Sequence, residues 1–133
     1  MKKYLLDTNI CIFYLKGRFD LKAKIEKNGY SNCFISEITL AELKYGAEYS
    51  NNPTKNIKVI NAFQKEFQVI PIFGALDYYS KEKARLRKAG ILIDDFDILI
   101  GTTAVSNNLT MVTNDNNHFS RIKGITIEDW TKG

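Results

Sequence analysis

The chain reads as an α/β protein, with a central twisted parallel sheet of four to five strands and helices on both faces. Three observations carry this expectation. Its 133 residues suit one domain over residues 1–133, with room for a real core and too little for two ordinary ones. Five short apolar runs recur along the chain, and each is continuous rather than alternating, as strands buried on both sides are. Helical patterns separate the runs, which is the order of a parallel sheet built from crossover units.

Taken in order, KKYLLD is an apolar run closed by an acid, and TNICIFYLKGR after it reads as a helix. CFIS is a second strand candidate, followed by the helical EITLAELKYGAEY. SNNPTK breaks the chain, and Pro53 suits the first position of a helix through NIKVINAFQKEF. VIPIF is a third strand, and LDYYSKEKARLRKAG a charged helix with Gly90 at its C-terminal cap. DFDILIGTTAVSNN reads as a helix, TMVT as a fourth strand and ITIEDW as a fifth. No internal repeat or low-complexity tract interrupts this order.

Composition excludes several classes. With 44% apolar and 26% charged residues, the chain is not intrinsically disordered. No apolar run approaches the ~20 residues of a membrane helix, and Asp7 interrupts the first run before a signal-peptide core forms. A cytoplasmic protein is expected. The net charge of +4 permits a nucleic-acid partner without demanding one. Cys11 and Cys33 lie in apolar contexts and read as small buried hydrophobes. His118 is the only histidine and no Cys–His cluster exists, which argues against a zinc site and against Ser–His or Cys–His hydrolysis.

Four carboxylates stand out. Asp7 ends the first strand candidate and, taken alone, suits a helix N-cap. Glu42 lies at the edge of an apolar face formed by Ile38, Ala41, Tyr45 and Tyr49. Leu40, Leu43 and Ala47 form a second apolar side, so this helix is expected to be covered twice. Glu42 is then either a carboxylate leaning into the core, which needs a partner, or a border residue reaching back to water. Asp97 falls in the middle of an arc of Phe96, Ile98, Ile100, Gly101, Ala104 and Val105. Asp94 or Asp95 is the expected cap, and Asp97 the acid aimed inward; the helix dipole favours an acid in the first turn but not on its apolar face. Asp115 follows TMVT, where Asn114 and Asp115 alone suggest a turn.

If the first and fourth strands are neighbours, all four acids meet at the carboxyl edge of the sheet, where sites form in such folds. Like charges in one pocket repel unless a cation is present. Oxygen-only ligation suits Mg²⁺ or Mn²⁺ rather than zinc. The expected ligands are Asp7, Asp97 and Asp115, with Glu42 binding directly or through water. Thr8, Asn9, Thr113 and Asn114 are candidates to hold waters or orient the ligand oxygens. Activated water at such an ion can cleave a phosphodiester.

At these residues the chain resembles the PIN-domain ribonucleases, and specifically the VapC-type toxins of type II toxin–antitoxin systems. The matching segments are YLLDTNICI, ISEITLAELKYGA, DFDILIGTTAV, LTMVTNDNNHF and the closing ITIEDW. They occur in family order and span nearly the whole chain. The resemblance places the family's acidic positions on Asp7, Glu42, Asp97 and Asp115. It implies a metal-dependent endoribonuclease, a homodimer, a VapB-like antitoxin whose tail covers the active site, and a structured RNA substrate such as transfer RNA. The fourth acidic position is the variable one in the family, and Asn114 and Asn116 are candidates to share its role through water. Gly101 stands where the family more often has Ala, which is expected to loosen the packing beneath Asp97.

The run SKEKARLRKAG holds Lys81, Lys83, Arg85, Arg87 and Lys88 against one acid, Glu82. It reads either as a solvated helix face or as a surface that tracks RNA phosphates. Lys16, Arg18, Lys22, Lys24 and Lys27 form a looser second group. Leu40, Leu43, Ala47 and the segment IFYL are candidate dimer or antitoxin contacts, with core burial as the alternative. Two other functions compete with the ribonuclease. A catalytically silent RNA-binding or antitoxin-binding module has no evident reason to keep Asp97 facing inward. A phosphatase or phosphoacceptor domain calls for paired acids after the first strand, where this chain has Asp7-Thr8-Asn9.

Overall fold

A computed structural model describes residues 2–132. Five strands form one parallel sheet in the order β3-β2-β1-β4-β5. These are β1 (Tyr4–Leu6), β2 (Cys33–Ser36), β3 (Gln68–Ile70), β4 (Thr110–Val112) and β5 (Ile127–Glu128). The helices are α1 (Thr8–Leu15), α2 (Leu21–Asn28), α3 (Glu37–Tyr49), α4 (Pro53–Glu66), α5 (Leu76–Lys88), α6 (Asp95–Ser106) and the short α7 (Asn116–Phe119). None of them is long and apolar enough to cross a membrane.

The continuous apolar strands are explained by cover on both faces. Along β1, Leu6 packs with Ile10, Cys11, Ile35 and Phe63, whereas Leu5 packs with Ile100, Ala104, Met111 and Phe119. Alternation along the strand therefore sends successive side chains into two different buried clusters. Both cysteines are free and buried, and burial pushes the Cys11 thiol well above its ordinary range.

Several expectations change in the folded chain. β3 stops at Ile70 because Pro71 offers no N–H to the ladder, and Phe73–Ala75 form a 3₁₀ turn. α1 ends at Leu15, and Gly17 in the left-handed region (φ +69°) turns the chain away. α2 carries no strong periodic signal in its Lys-rich sequence. It is held by Leu21 and Ile25, both buried in the core.

α3 is covered once rather than twice. Its buried stripe is Thr39, Leu43 and Ala47, while Tyr45 and Tyr49 are 66% and 80% exposed. The two rings stack on each other at 5.8 Å, the natural meeting of i and i+4 side chains. Phe96, also expected inward, is exposed at the start of α6.

The basic run on α5 is not simply a solvated face. Lys83 pairs with Asp95 at 2.8 Å. Glu82 is buried and accepts bonds from Arg85 Nε and Nη2 at 2.9 and 2.8 Å and from the Lys123 N–H at 2.9 Å. Arg85 Nη2 also donates to the Arg121 carbonyl at 2.7 Å. Lys81, Arg87 and Lys88 remain exposed. Two of the five cations thus tie α5 to α6 and to the loop after α7.

Gly101 tightens the packing beneath Asp97 instead of loosening it. A Cβ there would fall 2.3 Å from Ile122 Cδ1 and 3.3 Å from Phe119 Cδ1. Both neighbours are buried, so an added methyl overpacks the contact between α6 and the C-terminal segment. Overpacking costs ~1–3 kcal/mol, against a gain of about 1 kcal/mol from replacing Gly in a helix. Gly101→Ala is expected to lower the melting temperature. Adding Ile122→Val, which removes the clashing Cδ1, is expected to bring it back to the parent value or above. A single variant that melts no lower than the parent would show that the close contact does not limit stability.

Candidate active site at the carboxyl edge of the sheet

β1 lies at the centre of the sheet with β2 on one side and β4 on the other, so the chain changes direction of winding between β1 and β4. Residues that follow these two strands share a crevice. The Asp7 N–H donates to the Val112 carbonyl at 3.0 Å, which extends the β1–β4 pairing up to the site.

Asp7 is both a cap and a site residue. It is 4% exposed. Oδ1 accepts the Thr8 N–H at 2.8 Å and Oδ2 accepts the Thr113 hydroxyl at 2.8 Å. The same Thr113 hydroxyl accepts the Asp115 N–H at 2.9 Å, so one side chain links the acids after β1 and β4. On the other side, the Thr8 hydroxyl donates to Glu42 Oε1 at 2.7 Å and stands 3.0 Å from the Thr39 hydroxyl. Asn9 and Asn114 are exposed, and neither joins this network among the described residues.

At the start of α6 the three acids separate as their helical positions require. Asp94 caps the helix by accepting the Phe96 N–H at 2.8 Å. Asp95 turns outward to Lys83 and to the Tyr79 hydroxyl. Asp97, half-buried, shares the electrostatic field of Asp115 and Glu42.

Burial is the main reason that Asp7 is pushed up to about 6; hydrogen bonds from Thr113 and Thr8 oppose the shift, and Asp97 and Glu42 add to it. Asp97 is also pushed up to about 6, first by burial and then by Asp94, Asp115 and Glu42. Among the described residues, no Lys or Arg forms an ion pair with Asp7, Glu42, Asp97 or Asp115. Lysine and arginine thus leave these four acids unneutralised, and the ionisable base beside them is His118, 2.8 Å from Asp115.

The tightest group of ligand atoms is Asp97, Asp115 and His118, all within 4.8 Å of one another. His118 thus stands where the sequence reading had placed Asp7, which joins through Thr113 and its shared field. Asp115 is the N-cap of α7 rather than part of a plain turn. It accepts the His118 N–H at 3.3 Å and lies 2.8 Å from His118 Nδ1. That hydrogen bond is the first cause holding the imidazole pKa above its ordinary value. His118 and Thr39 are the participants that sequence reasoning missed. Their signal was helical spacing, since each lies three residues from an acid already singled out.

Comparison with known proteins agrees with this geometry. Residues 4–125 match the PIN domain family. The tRNA(fMet)-specific endonuclease VapC of Shigella flexneri is 37% identical over 98% of this chain and 100% of its own length. Ribonuclease VapC2 of Haemophilus influenzae (strain ATCC 51907 / DSM 11121 / KW20 / Rd) is 38% identical over 98% of this chain and 99% of its own length. Among solved structures, DNA-bound VapBC from Salmonella typhimurium superposes with a TM-score of 0.91 at 38% identity, covering 98% of this chain and 99% of that one. Ancestry and geometry converge on one assignment: the chain belongs to the PIN domain family, in its VapC branch.

Proposed function

We propose that this chain is a Mg²⁺- or Mn²⁺-dependent endoribonuclease that acts in the cytoplasm as the toxin of a toxin–antitoxin pair, cleaving structured RNA such as transfer RNA. One observation carries the reading: four carboxylates gathered at a sheet edge with no lysine or arginine paired to them among the described residues, two of them pushed up to about 6. The VapC relatives that bear ribonuclease names support it. Carboxylates in that state suit a hard divalent ion, and Asp97, Asp115 and Asp7, with Glu42 at the rim, would hold it. When bound, the ion lowers the pKa of water and offsets the charge that develops on the phosphate.

The chain's own residues do the rest. Thr113 fixes one oxygen of Asp7, and Thr8 occupies one oxygen of Glu42. The second Glu42 oxygen is thereby left to accept a proton from attacking water. RNA phosphates would track along exposed Lys81, Arg87 and Lys88 towards a cleft lined by Gly90, Ile93, Asn117, His118 and Arg121.

Two partners complete the proposal. A groove of about 430 Å³ runs between α1, α3 and α4, lined by Ile12, Leu15, Leu43, Ala47 and Ile60, with Glu42 also on its wall. An apolar antitoxin segment seated there would reach the catalytic acids, and the VapBC complexes from Salmonella typhimurium and Haemophilus influenzae support a VapB-like partner. A second copy of this chain would cover exposed Tyr45, Tyr49, Phe73 and Phe96.

Purified toxin free of antitoxin is expected to cut an RNA pool with Mg²⁺ or Mn²⁺ and to stop with EDTA. Asp7→Asn and Asp97→Asn are each expected to slow cleavage at least ~10²-fold with unchanged circular dichroism. RNA left whole under every metal condition, yet bound in a salt-dependent way, would favour the catalytically silent module.

Stability gives a second test. A folded pKa near 6 for Asp7 and Asp97 means that the folded chain holds these protons more tightly than the unfolded chain does. Their contribution is present at low pH and is lost as pH rises from the unfolded carboxylate range through about 6. Metal-free Asp97→Asn is therefore expected to exceed the parent by ~1–2 kcal/mol above neutral pH, with the gap closing near pH ~4. Millimolar Mg²⁺ is expected to raise the parent's melting temperature at pH ~7.5 and to leave the variant's little changed. Equal melting curves across pH would show that no repulsion is stored there.

A further inference from the structure

His118 is held more firmly than an exposed histidine needs to be. Asp115 grips it twice, through the ring Nδ1 at 2.8 Å and the backbone N–H at 3.3 Å. The next residue, Phe119, is buried, as is Ile122 one turn on. Beyond them, the Lys123 N–H and the Arg121 carbonyl are fastened to Glu82 and Arg85 of α5. The short helix is thus anchored by its own cap on one side and by a buried carboxylate on the other, which limits where the imidazole can go.

The ring is held beside Asp97 and Asp115, with one ligand atom from each of the three residues within 4.8 Å of the others. Bonds to a single ion of ~2.1 Å need only small side-chain adjustments from that spread. Nδ1 is the ring nitrogen that stands 2.8 Å from Asp115, close to the separation of two neighbouring ligands on one ion, and in the Nε2–H tautomer it offers its lone pair there. Mg²⁺ favours oxygen and retains its waters, whereas imidazole suits transition ions.

We infer that His118 is a nitrogen ligand of the divalent ion in this site and that it biases the site towards Mn²⁺ and related transition ions over Mg²⁺. The inference rests on the divalent-ion reading of the same pocket. It gives Asp115 two tasks in succession: it holds the ring in the metal-free chain, and it donates an oxygen to the ion that takes the place of the shared proton.

The test is pulsed EPR on the full chain loaded with Mn²⁺ alone, with Mg²⁺ affinity read by competition. Parent protein is expected to show nitrogen coupling to the bound ion. His118→Gln, which keeps a polar side chain at an exposed position, is expected to lose that coupling and to bind Mn²⁺ about tenfold more weakly, with Mg²⁺ affinity changed less than about twofold. A bound-Mn²⁺ spectrum without nitrogen coupling in the parent, or equal losses of both ions in the variant, overturns the role of His118 and leaves the carboxylate site standing. Mn²⁺ that stays in its free aqueous form beside the parent overturns the metal reading itself.

Discussion

The burial of carboxylates at the end of a parallel sheet, with repulsion among them added, is the constraint on which the remaining structure depends. Asp7 and Asp97 are both pushed up to about 6 by burial and by their neighbours, and the fold must hold them together against that tendency. Apart from His118 beside Asp115, it does so with neutral groups. Thr8 and Thr113 donate to Glu42 and Asp7 without bringing a charge, and backbone N–H groups of residues 8 and 118 do the same for Asp7 and Asp115. A lysine in their place would stabilise the pocket and close it to a cation. The cations that the chain does possess nearby, Lys83 and Arg85, are turned towards Asp95 and Glu82 on the other side of α6.

The rest of the architecture serves this arrangement. Packing on both faces of β1 fixes its end rigidly, and the Gly101 contact with Ile122 draws α6 against the segment that follows α7. The same two segments carry Asp97 and His118, whose polar atoms lie within 4.8 Å of each other and of Asp115, so the core contact at Gly101 adjoins the acidic pocket.

Much of this was legible in the residues. Strand positions followed from continuous apolar runs, and the inward aim of Asp97 followed from its place on an apolar arc with Asp94 left to cap. What stayed hidden has physical causes. α2 has too few apolar residues to announce a period and forms because Leu21 and Ile25 find the core. Tyr45 and Tyr49 satisfy an apolar pattern yet stack on each other in solvent, since periodicity reports a face and not what covers it. A lone histidine three residues from an acid carries only that spacing as a signal. His118 gained meaning only when its cap, Asp115, was seen to stand beside Asp97. Charge counting along α5 likewise saw five cations and could not show that Glu82, the single acid among them, was buried and bound to one of them.

The pairing of β1 with β4 has a consequence in time. Asp7 leans on Thr113, a residue 106 positions later, and β4, which precedes Thr113, pairs with β5. During synthesis this acid is made before its hydroxyl partner and waits until residue 113 has been translated. A nascent chain that has not yet reached Thr113 therefore has its first acid without the hydroxyl that holds it, and the acids after β1 and β4 can be linked only once that residue has been made.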